Sequence, residues 1–479
     1  MRRLFVVGLA TVLALSMTLV ADATPKRKKP LLHRQPTVEK VVDEHIRALN
    51  ACDVDALMAQ YPRRVHILLP GGVTVEGRHA VRDLFEGFCQ PFPDGLAGLQ
   101  FSPVESWKVG KTLNVQWEAT ADFLCEPYLG ADAYETWAGL MIAQVTTFDG
   151  AELKTIDEDG KCPKTYYTTA GPLSEAQVGN VLAHQHMFVE FGVENPSAYL
   201  DATPEEVYDV IGPLVLEAKN LGYSVFVDPT MEGVGRRPDI VQYIADATEM
   251  PTMMVTGFYW DPFLPDWVRT ASTGEITDWL LEELNVGVGD TDVQAGWIKL
   301  SQSYDGITDD EMTVLEAACD AALETNSSIG SHILSSWTAD AALDALEGFG
   351  CDPGRFIWVH APYTAFSEVD GADALLAAAE RGAYISLDFI GSEFWAGWVG
   401  DNGNARHLDL LELLVDAGYE DQLIIGSDTG WYDPANPDFL IEPYNQIMDS
   451  FLRDMRDAGF SEELIRKLLH DNPWEAYSR

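Results

Sequence analysis

Positive charge is what this chain most lacks. Its 479 residues carry 31 Lys and Arg against 76 Asp and Glu, a formal net charge of -45, with an isoelectric point near 4.3. A field of that sign repels phosphate, which argues against nucleic acid or anionic lipid as partners and is otherwise a soluble, solvated surface. Cysteine is sparse and has no CxxC spacing: Cys52, Cys89, Cys125, Cys162, Cys319 and Cys351. Zinc-thiolate sites are therefore not expected, whereas an even number in an exported protein suits disulfides, with the pairing left open. Histidine is scarce as well, ten in all, yet six lie beyond residue 170 and four of those six end short apolar runs.

The chain is long enough for two or three domains, each with its own core. Residues 1–23 read as an export signal: Arg2 and Arg3, an apolar stretch from Leu4 to Val20, then Ala21-Asp22-Ala23. Arg2-Arg3-Leu4-Phe5 is similar to a twin-arginine signal, which would suit a metalloprotein exported already folded. The expected location is periplasmic or secreted. The basic segment Lys26 to Lys29, within a linker at 24–36, leaves an uncleaved N-terminal anchor as the alternative.

From 37 to 150 an amphipathic helix comes first and strand-like runs such as LNVQWEATADFL and LMIAQVTTF come last, an α+β order. The helix, the turn Gly71-Gly72, the helix start VEGRHAVRDLFEGF and the late strands together resemble the SnoaL-like branch of the nuclear transport factor 2 (NTF2) fold. That resemblance implies a cone of curved sheet around helices. It could line a pocket with His66, Trp117, Glu118 and Asp122, or serve as a packing or dimerising module. Residues 151–170 lose periodicity and gain charge, which marks a linker.

After Gly171 strands alternate with helices eight times in about 300 residues, the count and size of a TIM (β/α)8 barrel. The fold class is thus α/β, a barrel preceded by a small α+β domain. Active residues of such barrels sit at the carboxyl ends of strands. Five runs end in chemistry there: VGNVLAHQH at His184 and His186, AGWIK at Lys299, SIGSH at His332, FIWVH at His360 and LIIGSD at Asp428. Residues i and i+2 of a strand share a face, so His184 and His186 can grip one ion. Imidazole and carboxylate are the usual ligands of zinc, iron and manganese. Each residue also has a plainer reading: a core histidine, an aspartate capping a turn, a lysine snorkelling from the barrel mouth.

In order and spacing, Gly171-Pro172-Leu173 with His184-Gln185-His186, Asp228-Pro229-Thr230, Gly233-Val234-Gly235-Arg236, Thr256-Gly257-Phe258-Tyr259, Ile298-Lys299, Ser331-His332, Ser427-Asp428 and Asn472-Pro473 resemble the phosphotriesterase family of the amidohydrolase superfamily, across 171–479. The resemblance implies two divalent metal ions, zinc first with iron, cobalt or manganese as alternatives. His184, His186 and Asp428 would hold one ion and His332 and His360 the other, with Lys299, carboxylated on its amine, bridging them. Asp428 would accept the proton of the attacking hydroxide. Tyr259 resembles the strand-three tyrosine of the lactonase-like members, and Asp388 their strand-seven aspartate. Aromatics after strand seven (Phe394, Trp395, Trp398) and strand eight (Trp431, Tyr432) would form an apolar pocket. Two departures stand out: Gln185 where the family commonly has glutamate, and Ala361-Pro362-Tyr363-Thr364 after His360, where the family continues with acidic residues.

The expected activity is hydrolysis of a lactone or carboxylic ester, with phosphotriester turnover as a promiscuous side activity. Alternatives are an amidase or deacylase on the same site, and a catalytically silent metal-containing binding protein. The expected partner is a small molecule, with no membrane partner beyond export, and a homodimer is compatible with both fold types.

Overall fold

The computed structural model describes residues 31–147, 153–157, 160, 162–190, 196–399, 404–436 and 439–479. The export signal and the basic segment Lys26 to Lys29 lie outside them. Two compact units divide between Pro163 and Lys164.

In the first unit, helices α1 (Val38–Asn50), α2 (Val54–Ala59) and α3 (Gly77–Phe88) accompany strands β1 (His66–Leu69), β2 (Val73–Glu76), β3 (Gln100–Val109), β4 (Thr112–Thr120), β5 (Tyr128–Trp137) and β6 (Leu140–Thr147). The sheet order is β2-β1-β6-β5-β4-β3, antiparallel except where β1 runs parallel to β6. Strand alternation sets its inner face: Leu113, Val115, Trp117 and Ala119 of β4 are buried. Trp117 lies against Gly130, its register partner on β5; a Cβ there would come within 2.4 Å of the indole, so the glycine admits the ring. Disulfides Cys52–Cys89 and Cys125–Cys162 close this unit, and Cys319–Cys351 lies in the second.

Both expected linkers are corrected. Residues 33 and 35 bond to the first unit, His33 N donating to Ala59 O and Gln35 N to Gly139 O. The stretch 151–170 splits. Leu153 and Ile156 pack on the first core despite the charges around them, and Cys162 is tied to Cys125. Tyr166–Thr168 instead forms β7, paired with β8 (Gly171–Leu173). Tyr166 is fully buried and stacks on Trp474, 5.2 Å between ring centroids. The second unit therefore starts at Lys164 rather than Gly171.

The second unit is a parallel barrel. Its strands are β9 (Asn180–Leu182), β11 (Tyr223–Val227), β12 and β13 (Thr252–Met253 and Val255–Thr256, one strand interrupted at Met254), β14 (Trp297–Ser301), β15 (Ile329–His332), β16 (Phe356–Val359), β17 (Tyr384–Leu387) and β18 (Leu423–Ile425). Ladders run β12-β11-β9 and β13-β14-β15-β16-β17-β18. Strands such as β14 are buried along their whole length, as parallel strands covered by helices must be. Capping boxes Thr203/Glu206, Ser272/Glu275 and Thr308/Glu311 start three of the outer helices. Among the described residues no ladder joins β18 to β9. Beyond their ends, Asp428 N donates to His184 O at 3.0 Å and His186 N to Thr429 O at 2.9 Å. Short strands β10 (His186–Phe188) and β19 (Gly430–Tyr432) then pair. The seam of the barrel is closed by the segments that carry His184, His186 and Asp428.

Candidate metal centre

The expected ligands gather at the carboxyl end of the barrel, with His184, His360 and Asp428 outside regular strand and His186, Lys299 and His332 within it. His184 lies past β9 and His186 opens β10, so they do not share a strand as i and i+2. Asp428 comes three residues after β18 ends. Lys299 sits in the middle of β14, opposite Gly330, not at its end. His360 and Asp428 hold positive φ angles, 66° and 51°, as do Phe389 at 74° and Trp431 at 59°. Left-handed backbone at non-glycine residues costs of order 1 kcal/mol or more each and persists where surrounding structure enforces it, commonly at functional sites. Here it turns the side chains into the mouth.

One ligand atom each from His184, His360 and Asp428 lies within 4.8 Å of the others. His186 Nε2 is 3.2 Å, and His184 Nε2 3.5 Å, from Asp428 Oδ1. The rings of His332 and His360 are 4.4 Å apart, and those of His184 and His360 5.0 Å. Outer partners fix the tautomers. His184 donates from Nδ1 to Asp388 Oδ1 at 2.9 Å. His186 donates from Nδ1 to Thr230 Oγ1 at 2.6 Å, and that hydroxyl in turn donates to Asp228 Oδ1 at 2.5 Å. In both histidines Nε2 keeps its lone pair free for a cation. Asp388 also accepts from His360 N (2.7 Å) and Ser386 Oγ (2.8 Å), while its own carbonyl bonds His407 Nε2.

Burial pushes the His332 and His360 imidazoles well below their ordinary pKa, helped by neighbouring cationic groups, so both are neutral at pH 7. At His184 burial works the same way but the Asp388 and Asp428 carboxylates outweigh it, and the net shift is upward. Burial would raise the Asp388 carboxyl, yet His184 and its hydrogen bonds hold it below the usual range. Burial brings the Lys299 amine down to about 8 against the opposing pull of Asp388 and Asp428. Burial pushes the Tyr259 phenol up, with Asp428 adding to it, so it remains a donor.

The residues fit a metal by their own chemistry. Three neutral-capable imidazoles and a carboxylate converge, and His360 Nδ1 is buried without a hydrogen-bond partner, a state a ligand nitrogen relieves. Gly257, at φ 122°, lets its backbone pass so close to β14 that a Cβ would stand 2.0 Å from Lys299 O. Tyr259 follows, its ring 5.5 Å from that of His332.

Other expectations divide. Trp395 donates from Nε1 to Asp428 O at 3.3 Å and packs on Phe389, which itself stacks on His360 at 4.9 Å. Phe394 and Trp431 extend this wall. Tyr432 instead packs against Phe188, and the Trp398 side chain lies outside the described residues. Phe389 and His407 were not anticipated; the first follows Asp388 directly, and a strand-end aspartate flanked by an aromatic was the available signal. Gln185 is buried, its Oε1 accepting from the Thr429 amide and hydroxyl, which ties the two seam segments together. The four pocket candidates of the first unit are not brought together: His66 and Asp122 are exposed, and Glu118 faces opposite to buried Trp117.

A parallel eight-stranded barrel with an imidazole and carboxylate cluster at its mouth is the class these features define. The sequence model of the phosphotriesterase family matches residues 164–477, and that of the SnoaL-like domain residues 42–162. The chain belongs to the phosphotriesterase family, with a SnoaL-like domain in front. It is similar to the phosphotriesterase homology protein of Mycobacterium tuberculosis, 24% identical over 330 residues that cover 65% of this chain and 97% of the relative. An aryldialkylphosphatase of Saccharolobus solfataricus is 26% identical over 318 residues, 64% and 97% of the two chains. The N-acetyltaurine hydrolase of Xenopus tropicalis is 22% identical over 344 residues, 64% and 95%. Among solved structures, a lactonase from Listeria monocytogenes superposes with a TM-score of 0.55 at 20% identity, covering 65% of this chain and 98% of its own, a likeness of fold.

Proposed function

We propose that this chain is a binuclear metal-dependent hydrolase of lactones or carboxylic esters, with phosphotriester cleavage as a side activity. The observation that carries the reading is the convergence of His184, His360 and Asp428 within 4.8 Å, with neutral His332 and buried Lys299 beside it. His184, His186 and Asp428 would hold one divalent ion, His332 and His360 the other, and Lys299, carboxylated on Nζ, would bridge them. Such a pair lowers the pKa of a water towards neutrality and polarises the acyl oxygen of the substrate.

The protein's own groups do the rest. Asp428 accepts the proton released as the nucleophile adds to the acyl carbon. Asp388 and the Thr230–Asp228 pair keep His184 and His186 in one tautomer and one orientation. Tyr259 remains protonated and donates to the ester oxygen. The Phe389 and Trp395 wall keeps bulk water from one side of the cluster. Converting Lys299 to an anionic carbamate removes the cost of a cation buried in a strand.

An amide substrate is the second reading, favoured by the similarity to an N-acetyltaurine hydrolase. The test is metal stoichiometry on the purified chain alongside turnover of lactones, aryl esters, N-acyl amino acids and one phosphotriester. Two metals with lactone or ester turnover is the expected result. Turnover of the amides alone would move the assignment to the second reading, two metals with no turnover would leave a binding protein, and no metal would break the argument. Export is part of the proposal: all six cysteines are paired, which suits an oxidising compartment.

A further inference from the structure

Exposed aromatic side chains of the barrel unit are unevenly placed. Phe263, Trp267, Tyr304 and Trp337 are between 38 and 48% exposed. All four lie where the chain leaves the carboxyl ends of three neighbouring strands: Phe263 and Trp267 after β13, Tyr304 after β14, and Trp337 after β15. Elsewhere on the unit, among the described residues, only Tyr243 is an exposed aromatic. Taking about 200 Å² for a whole aromatic side chain, the four together expose roughly 350 Å² of surface, within the range of the largest apolar patch on a soluble monomer, which is often functional. Nothing in their local packing requires the exposure: Tyr304 and Trp337 meet edge to face at 5.4 Å and Trp267 packs on Phe258 at 5.7 Å, each leaving its outer surface to solvent.

This arc is connected to the metal centre. Phe263 touches Tyr259 (5.7 Å between centroids), and Tyr259 touches His332 (5.5 Å), so a line of rings runs from the exposed rim to the ligands. Tryptophan and tyrosine at a rim are the side chains that settle at an apolar–water boundary, an apolar body with a polar edge. Charge selects the kind of boundary. The net charge of -45 and the carboxylates of Asp266 and Asp305 on the same loops repel an anionic surface. That repulsion does not extend to a neutral surface.

We propose that this aromatic arc docks the barrel mouth on the surface of an uncharged or zwitterionic amphiphile assembly, and that the substrate is an uncharged long-chain ester drawn from it along Phe263 and Tyr259. The substrate half rests on the proposed hydrolase function; the docking half does not.

The test uses the full metal-loaded chain and the double variant Trp267→Ala/Trp337→Ala, neither residue belonging to the metal centre. Sedimentation with phosphatidylcholine vesicles reads docking without turnover, and phosphatidylglycerol vesicles read the charge argument. Hydrolysis of a long-chain aryl ester below and above its critical micelle concentration, against a soluble short-chain ester, reads the substrate. Partition into phosphatidylcholine vesicles, weakened at least about tenfold in the variant, is expected. So is a rate that rises across the critical concentration in the parent but not the variant, with short-chain turnover unchanged. No partition, equal partition of parent and variant, or preference for phosphatidylglycerol overturns the docking. Docking with short-chain turnover but no rise for the long-chain ester overturns the substrate half. Docking with no hydrolysis of either ester overturns the hydrolase reading and leaves the docking surface standing.

Discussion

Two of the protein's buried clusters of ionisable side chains are built in opposite ways. In the front unit His45 of α1 sits among Tyr61, Phe85 and Tyr134. Tyr134 donates to Asp132 Oδ2 at 2.6 Å, Gln144 Nε2 approaches the same oxygen at 3.4 Å, and Tyr61 donates to Gln144 Oε1 at 3.3 Å. Apart from Tyr61 these groups come from regular helix and strand, and their hydrogen bonds run among themselves within a packed core, with His45 Nε2 and Asp132 Oδ1 left without a partner. In the barrel the groups gather where strands end or break, His360 and Asp428 on left-handed backbone, and the Nδ1 bonds of His184 and His186 run outward to Asp388 and Thr230 while their Nε2 atoms face Asp428. Hydrogen bonds closed within a packed core rigidify a fold. A network that leaves its inner atoms free at the end of a barrel is arranged for a ligand.

The sharpest way to break this contrast is at Asp428. Asp428→Asn should keep the fold and most of the metal but reduce kcat at least about a hundredfold, the scale of a lost general base. Parallel circular dichroism and metal analysis check that the loss is chemical, and turnover within tenfold of the parent would remove Asp428 from that role. Next in size is Lys299→Ala, expected to lose more than half of the bound metal and to recover part of it in added acetate or propionate. Unchanged metal content would refute the bridge. Asp388→Asn comes third: with its hold on His184 weakened, metal affinity should fall about 10- to 100-fold while kcat at saturating metal changes less. An equal loss of both would make Asp388 part of the chemistry rather than a positioning residue.

Much of this was legible in the sequence, and what was missed has physical causes. Barrel strands are legible because buried parallel strands read as apolar runs, as in FIWV, and the ligands because rare histidines recur after such runs. The break between β9 and β10 across His184-Gln185-His186 is not legible, since periodicity shows where a run is apolar but not where a seam interrupts the strand. The linker at 151–170 was misread because charged residues masked Leu153 and Ile156, and because Tyr166 finds its partner Trp474 some 300 residues away. The front cluster went unnoticed even though its signal was present. Asp132 occupies an inward position between Gly130 and Tyr134 on an alternating strand, and an acid there implies a buried partner.

The last test bears on the other side of the contrast, and it leaves activity at pH 7.5 untouched while reading stability against pH. Burial lowers the His45 pKa from 6.5 to about 4, so the folded chain binds fewer protons at this site than the unfolded chain between those values. Stability from this group is therefore intact above pH 6.5 and lost as pH falls towards 4, by about 3 kcal/mol over the window. Asp132 acts in the opposite sense, because burial raises its carboxyl despite hydrogen bonds from Tyr134 and Gln144; the folded form takes up that proton first and gains as pH falls. Since Asp132 is present in both proteins, the difference between parent and His45→Gln isolates the histidine. Hydrogen-exchange protection of β4 and β5 amides in the full chain, followed from pH 7.5 to 4.5 and corrected for the intrinsic exchange rate, should decline more steeply in the parent. Hydrolysis at pH 7.5 should be the same in both. Parallel curves would mean that His45 is protonated in the folded state, and the cluster would then need a charge partner that its aromatic neighbours do not supply.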